Sequence, residues 1–466
     1  VRFLPPEPIV DLYNEGFEEP DILKRKPVSE ALSALTNRIN DPLVIAIDGK
    51  WGSGKSYFLK RWVGAHTLEN EASSVTVYFD AFAQDFVSDP LPALLAALEA
   101  RVPAEQRSKL QAAKEAAFKL VRPISRIGLS LATFGAMQAL DDVGDAVAEA
   151  VSGEAARGID TYWEEQAHRQ TAMSQFRSAI EALAESAVDE ASGASLIFVV
   201  DELDRCRPDY ALEVLEIIKH FFSIPRVHFV LGVNLEALQL SVAARYGDKL
   251  DAAAYLQKFI QIRLALPNEI GDRYQRTPAI MEYAKHLIEQ MEVPQHLAER
   301  LKNQLAVVAY NNRVSMRDVG KIVSSLMLAN NDVLTNERFL PGWLDAMIDL
   351  VIAQVIKPDL FPKMLTSSCS DFELVEYFGA TDDRIGRDDD ARRSRSFDHD
   401  VYWRYRAWQF FCNDGVLGDN ESPNEEDRRV MNALGESLDR FRSPDDVKKI
   451  PQKVYDDWLN LFRLHS

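Results

Sequence analysis

The feature that most limits what this chain can fold into is GKWGSGKS, Gly49 to Ser56, set directly behind the apolar run Leu43 to Ile47. It satisfies GxxxxGK[ST] between a strand and a helix, the context in which a glycine-rich loop cradles phosphate. Gly49, Gly52 and Gly54 let the loop turn so that consecutive backbone N–H groups point inward, where a side chain would block an anion. The next helix, predicted over Ser56 to Ala65, adds the positive end of its dipole. Lys55 supplies a mobile charge for the β- and γ-phosphates, and Ser56 offers a hydroxyl to Mg²⁺. The expected nucleotide contacts are Gly49, Lys50, Trp51, Gly52, Ser53, Gly54, Lys55, Ser56 and Tyr57.

Such a loop needs an acid across the sheet. FVVDELDRC, Phe198 to Cys206, ends an apolar strand in Asp201, placed to hold Mg²⁺ through water, with Glu202 beside it as general base. Solvated acids at a strand end look the same in isolation; the glycine loop upstream is what gives this pair its catalytic reading. Asn234 follows the run Val227 to Val233, where it would either orient the attacking water or sense the γ-phosphate, or else cap the helix that begins near Leu235. Arg245 ends that helix, either to reach a neighbouring subunit's γ-phosphate or to complement the dipole. The [NT]KxD tetrapeptide of GTP sites does not occur, so ATP is the expected nucleotide.

Around these motifs the runs Leu43–Ile47, Val75–Phe82, Ser195–Val200, Val227–Val233 and Phe259–Leu266 read as strands with helical connections, such as Tyr210–Phe222. Apolar strands separated by helices predict an α/β fold with a parallel sheet covered on both faces. Pro92 to Glu190 is Ala-rich and helical, an insertion between strands. After Pro267 no convincing strand follows, and the mixed-charge tract Thr381 to Ser396 reads as a solvated or disordered loop. The domains expected are a leader over 1–27, a nucleotide domain over 28–345 and a helical C-terminal domain over 346–466. The nucleotide domain includes the insertion (92–190) and a helical lid (268–345).

Composition excludes several classes. With 53 Lys plus Arg against 72 Asp plus Glu the net charge is −19, which opposes a broad basic face for nucleic acid and leaves only a local channel. The 3 cysteines, Cys206, Cys369 and Cys412, form no CxxC pair, and the 8 histidines form no ligand grouping, so neither disulfides nor zinc are expected. The longest uncharged run, Ile127 to Leu140, has 14 residues, whereas a membrane span needs about 20. The opening segment lacks the charged start and apolar core of a signal peptide, and the expected location is cytoplasmic. VYWRYRAWQFF, Val401 to Phe411, interleaves arginines with aromatics but places Val401, Tyr405, Trp408 and Phe411 on one face, a core helix in preference to a base-stacking surface.

From about Pro20 to Leu326 the chain resembles the KAP family of P-loop NTPases. The resemblance rests on PDILKRKPVSEALSALTNRI, on Trp51 in the loop, on VTVYFDAF, on FVVDELDRC and on YLQKFIQIRLALP, Tyr255 to Pro267. Asp80, Phe82 and Glu202 depart from the family's usual residues. The resemblance implies an additional-strand sheet, a leader placed against adenine, a helical insertion that in relatives often crosses a membrane, and a helical lid. NNRVSMRDVGKIV, Asn311 to Val323, resembles the family's sensor helix, which makes Arg317, and after it Arg313, a nucleotide contact or else a solvated helix-face arginine. Bacterial relatives include proteins that defend against phages. The expectation is Mg²⁺-dependent ATP binding and hydrolysis that drives conformational change or assembly of a protein complex, with homo-oligomers allowed. The rivals are a nucleotide-gated scaffold or signalling module with little turnover, and a nucleic-acid-stimulated ATPase.

Overall fold

The structure, a computed structural model, describes residues 9–18, 21–69, 74–87, 89–102, 106–120, 171–185, 195–221, 224–247, 249–272, 275–336, 338–381, 397–418, 423–438 and 444–460. The uncharged run 127–140 and nearly all of the tract 381–396 lie outside the described residues.

Strands β1 (Leu43–Asp48), β2 (Val75–Asp80), β3 (Leu196–Asp201), β4 (Val227–Val233) and β5 (Ile262–Ala265) form one parallel sheet in the order β2-β3-β4-β1-β5. The strand β4 therefore lies between the glycine-loop strand and the acid-bearing strand, the additional-strand arrangement. β1, β3 and β4 are buried along almost their whole length, which is why their sequences are apolar runs with no alternation, broken only by His228 and by the terminal Asp48 and Asp201. The two edge strands, each paired on one side, are less buried: β5 alternates between half-buried and exposed residues, and β2 leaves Val75, Tyr78 and Asp80 half-buried. The expected fifth strand, Phe259 to Leu266, shortens to four residues because Phe259 is drawn into the core by the preceding turn.

One face of the sheet is covered by the leader helix Lys26–Arg38 and the P-loop helix Lys55–Leu68, with Phe58, Leu59 and Trp62 fully buried between them and the strands. The other face packs the helix Pro208–Phe221 and the insertion helices Pro90–Glu99 and Arg107–Leu120, joined by Phe176 and Ile180 of the helical segment 171–185. Among the described residues no helix is long and apolar enough to cross a membrane.

After Pro267 the expectation of an entirely helical remainder needs correction. β6 (Glu269–Asp272) and β7 (Gln275–Pro278) form an antiparallel pair. Their sequences, EIGD and QRTP, are polar and short, so the ladder is held by main-chain bonds that leave no apolar alternation to read. The helices that follow share one core running from Ala284 to Val454. Position 345 falls inside the helix Pro341–Ile356, whose residues from Ala346 to Ala353 are all buried. The aromatic helix Phe397–Cys412 is a core helix, with Val401, Tyr405, Trp408 and Phe411 buried.

Candidate functional site

Because the strands are parallel, their C-terminal ends deliver their loops to one edge of the sheet, where ligands of such folds gather. There a cleft of 340 Å³ is lined by Trp51 through Tyr57, by Asp201, Glu202, Asp204 and Arg205, and by Gly232 and Arg317. Gly52 (φ 79°) and Gly54 (φ 78°) adopt the left-handed conformation that L side chains rarely enter, and Gly54 is the N-cap of the P-loop helix. A Cβ at Gly232 would collide with Asp201 and Leu59, so this glycine inside β4 is the space into which the acid of β3 fits.

Lys55 is 8 % exposed and its Nζ donates to the carbonyl oxygens of Gly49 and of Lys50, the latter at 3.2 Å. Burial lowers its pKa, opposed by the nearby carboxylates Asp204, Asp201 and Asp48. Asp201 is buried; its Oδ1 accepts from the Glu202 N–H at 2.9 Å and its Oδ2 from the Tyr78 hydroxyl at 2.8 Å. Burial pushes its pKa up to about 6 against those hydrogen bonds; burial also raises that of Tyr78, and the Asp201 carboxylate acts in the same direction. Glu202 stands at φ 59°, a left-handed turn that lifts its side chain off the strand direction. Its Oε1 is 2.8 Å from Arg205 Nη1 and accepts from Ser56 Oγ at 3.4 Å.

The structure thus brings together Trp51, Gly52, Ser53, Gly54, Lys55, Ser56, Tyr57, Asp201, Glu202 and Arg317 of the expected residues. Gly49 and Lys50 stand behind the cleft as acceptors for Lys55. Asn234 is the N-cap residue of Leu235–Tyr246, yet its side chain makes no capping bond; the Leu235 N–H donates instead to Asp48 Oδ1 at 2.9 Å. Arg245 is outside the cleft, exposed and 3.0 Å from Asp209, and Arg313 is exposed. Arg317 reaches the cleft because the helix Met316–Met327, within the stretch expected as a lid, begins on the glycine loop: the Met316 N–H donates to Gly52 O at 3.0 Å, and Ser315 with Asp318 closes a capping box.

Several residues of the site were not foreseen. Tyr78 sits on β2 in a β-branched and aromatic run that signals only a strand. Asp204, whose Oδ2 accepts the Trp51 indole N–H at 2.6 Å, and Arg205 lie inside the DELDR stretch, where their spacing of two and three residues from Glu202 was the available signal. Arg25 grips the loop from behind; it lies inside the leader segment PDILKRKPV, which the resemblance places against adenine without singling out this residue.

A glycine-rich loop between a parallel strand and a helix, faced across an intervening strand by an acid, defines the nucleotide-binding class of P-loop NTPases. Residues 25–333 match the KAP family P-loop domain, and the chain belongs to that family. Two solved structures of the Aeropyrum pernix ORC2 protein are similar to it. The one with ADPNP and ADP shares 12 % identity at a TM-score of 0.34, over 89 % of this chain and 95 % of that chain. The ADP form shares 13 % at 0.33, over 97 % of this chain and 96 % of that chain. No curated protein matches the sequence.

Proposed function

We propose that this chain is a Mg²⁺-dependent ATPase whose nucleotide cycle moves the lid and, through it, the assembly of protein partners. The observation that carries the reading is the convergence of Lys55, Ser56, Asp201, Glu202 and Arg317 on one cleft beneath the lid helix. Lys55 and the loop N–H groups hold the phosphate chain, Arg317 touches it from the lid, and Glu202 takes the proton of the attacking water.

The donor set fits Mg²⁺. Ser56, Asp201 and Glu202 offer only hard oxygen donors, and the buried Asp201 carboxylate, with a pKa raised by desolvation, gains from a nearby cation. When bound, the ion would supply charge neutralisation for the phosphates. Among the described residues no His, Cys, Asp and Glu cluster forms a metal cage of any other kind.

The test is phosphate release and ATP affinity in wild type and Lys55→Ala. Wild type should bind ATP and release phosphate only with Mg²⁺, and the variant should do neither; binding that survives Lys55→Ala unchanged would sink the assignment. Slow, switch-like turnover is the second reading, favoured by the ion pair that holds Glu202 on Arg205. A site shared between copies would employ Arg245, which is free of the cleft and 61 % exposed. Mixing Lys55→Ala with Arg245→Ala protein should then restore activity. Phage defence rests on the family resemblance alone, and phage plating on cells carrying wild type or Lys55→Ala tests it.

A further inference from the structure

The glycine loop is held from its outer side by the leader. Arg25, immediately ahead of the leader helix, is 2 % exposed. Its Nη2 donates to Ser53 O at 2.7 Å and its Nη1 to Gly54 O at 2.9 Å. These are successive carbonyls, and a planar guanidinium is the side chain that can engage both from one rigid plane. In a trans peptide the N–H lies opposite its C=O. The peptide units whose oxygens face Arg25 carry the N–H groups of Gly54 and Lys55, which are therefore turned away from Arg25, and both residues line the cleft. Among the described residues neither N–H has a protein acceptor. A cationic donor on the carbonyl side also polarises each amide and strengthens its N–H as a donor. Space is tight here: a Cβ at Gly54 would stand 2.9 Å from Arg25 Nη1 and 3.2 Å from Met316 of the lid.

We infer that Arg25 is a positioning residue for polyphosphate: by fixing the peptide planes of Gly54 and Lys55 it aims their N–H groups at the phosphate chain, so that docking of the leader sets phosphate affinity. The inference rests on the nucleotide reading above and assigns to the leader a task at the phosphates.

Arg25→Lys keeps charge and stem but loses the rigid planar fork that meets both carbonyls at once; Arg25→Gln keeps one neutral donor should the lysine variant fold poorly. Affinities of the full chain for ATP, AMP and inorganic tripolyphosphate, measured by calorimetry with Mg²⁺, separate phosphate-chain from base recognition. Arg25→Lys should weaken ATP and tripolyphosphate about tenfold, the scale of one charge-assisted hydrogen bond. AMP affinity and the unfolding midpoint should stay close to wild type, and KM for ATP should rise with kcat little changed. Unchanged ATP affinity in a folded Arg25→Lys, or equal losses for ATP and AMP, overturns the inference while leaving the nucleotide site standing. A wild type that binds no ATP overturns both.

Discussion

Glu202 Oε1 lies 2.8 Å from Arg205 Nη1, three residues on, at a turn that Glu202 enters with φ 59°. The proposed base is thus held by a cation of its own motif, and both residues line the cleft. An arginine this close fixes the carboxylate's direction, so its loss should act through Glu202. Arg205→Ala is expected to lower kcat about tenfold, and Glu202→Gln about a hundredfold or more with ATP binding retained. The double variant should be no slower than Glu202→Gln alone, as for residues acting as one unit. Additive losses in steady-state phosphate release would show that Arg205 works independently of Glu202.

Trp51 joins the loop to the acid motif through its indole N–H, 2.6 Å from Asp204 Oδ2, while 47 % of the residue stays exposed. Trp51→Phe keeps the ring and deletes the donor, leaving the Asp204 carboxylate, 7 % exposed, short of a partner. Denaturant titration should register a loss of about 1–3 kcal/mol. Asp204→Asn, which still accepts from the indole, should cost less; a larger loss from the asparagine would mean that the charge and not the hydrogen bond matters.

How much of this was legible follows from the range of each interaction. Gly52, Gly54, Lys55 and Ser56 fall within five consecutive positions, and the buried strands are nearly unbroken apolar runs, so local pattern alone locates the loop and most of the sheet. Arg25 and Gly54 are 29 positions apart, and Tyr78 and Asp201 are 123 apart; neither pair carries a periodic signal. The hairpin β6–β7 was invisible because its register depends on backbone bonds between polar residues. Arg404 and Arg406 find ion-pair partners on other elements, Asp349 at 55 positions' distance and Asp427 at 21, where no local pattern points to them.

His66 and His228 are both fully buried, where the leader and P-loop helices meet the sheet. Burial lowers each pKa from 6.5 to about 4, and His228 adds repulsion at His66. In the unfolded chain both protonate near 6.5, so between pH 6.5 and 4 the unfolded state binds more protons than the folded one. The stability these neutral rings contribute is complete above that window and is lost as pH falls through it, by up to about 3 kcal/mol each. Unfolding free energies from pH 7.5 to 4.5 should fall steeply below 6.5, and the slope should flatten in His66→Gln/His228→Leu. An equally steep slope in that variant would assign acid sensitivity to other groups.

Arg404 is the centre of the shared helical core. Its Nη2 and Nε lie 2.5 and 3.1 Å from Asp349 Oδ2, and its Nη1 is 3.1 Å from Asp345. Arg300 holds Asp345 from a third helix at 2.6 Å, and the Trp408 indole donates to Asp349 at 2.7 Å. Burial drives the Asp349 pKa up to about 6 even though Arg404 and Trp408 pull it down, so this carboxylate stays charged at pH 7 only with its partners in place. Removing one partner leaves the buried carboxylate either unpaired or protonated, a cost that replacing both with apolar groups of similar volume avoids. Arg404→Ala should therefore cost about 3–5 kcal/mol, and Arg404→Met combined with Asp349→Leu should recover most of that loss. Because one core runs from Ala284 to Val454, the lid and the C-terminal helices should melt together in both variants. Separate transitions for the two, read by hydrogen exchange along the chain, would show that the ion network does not tie them into one unit.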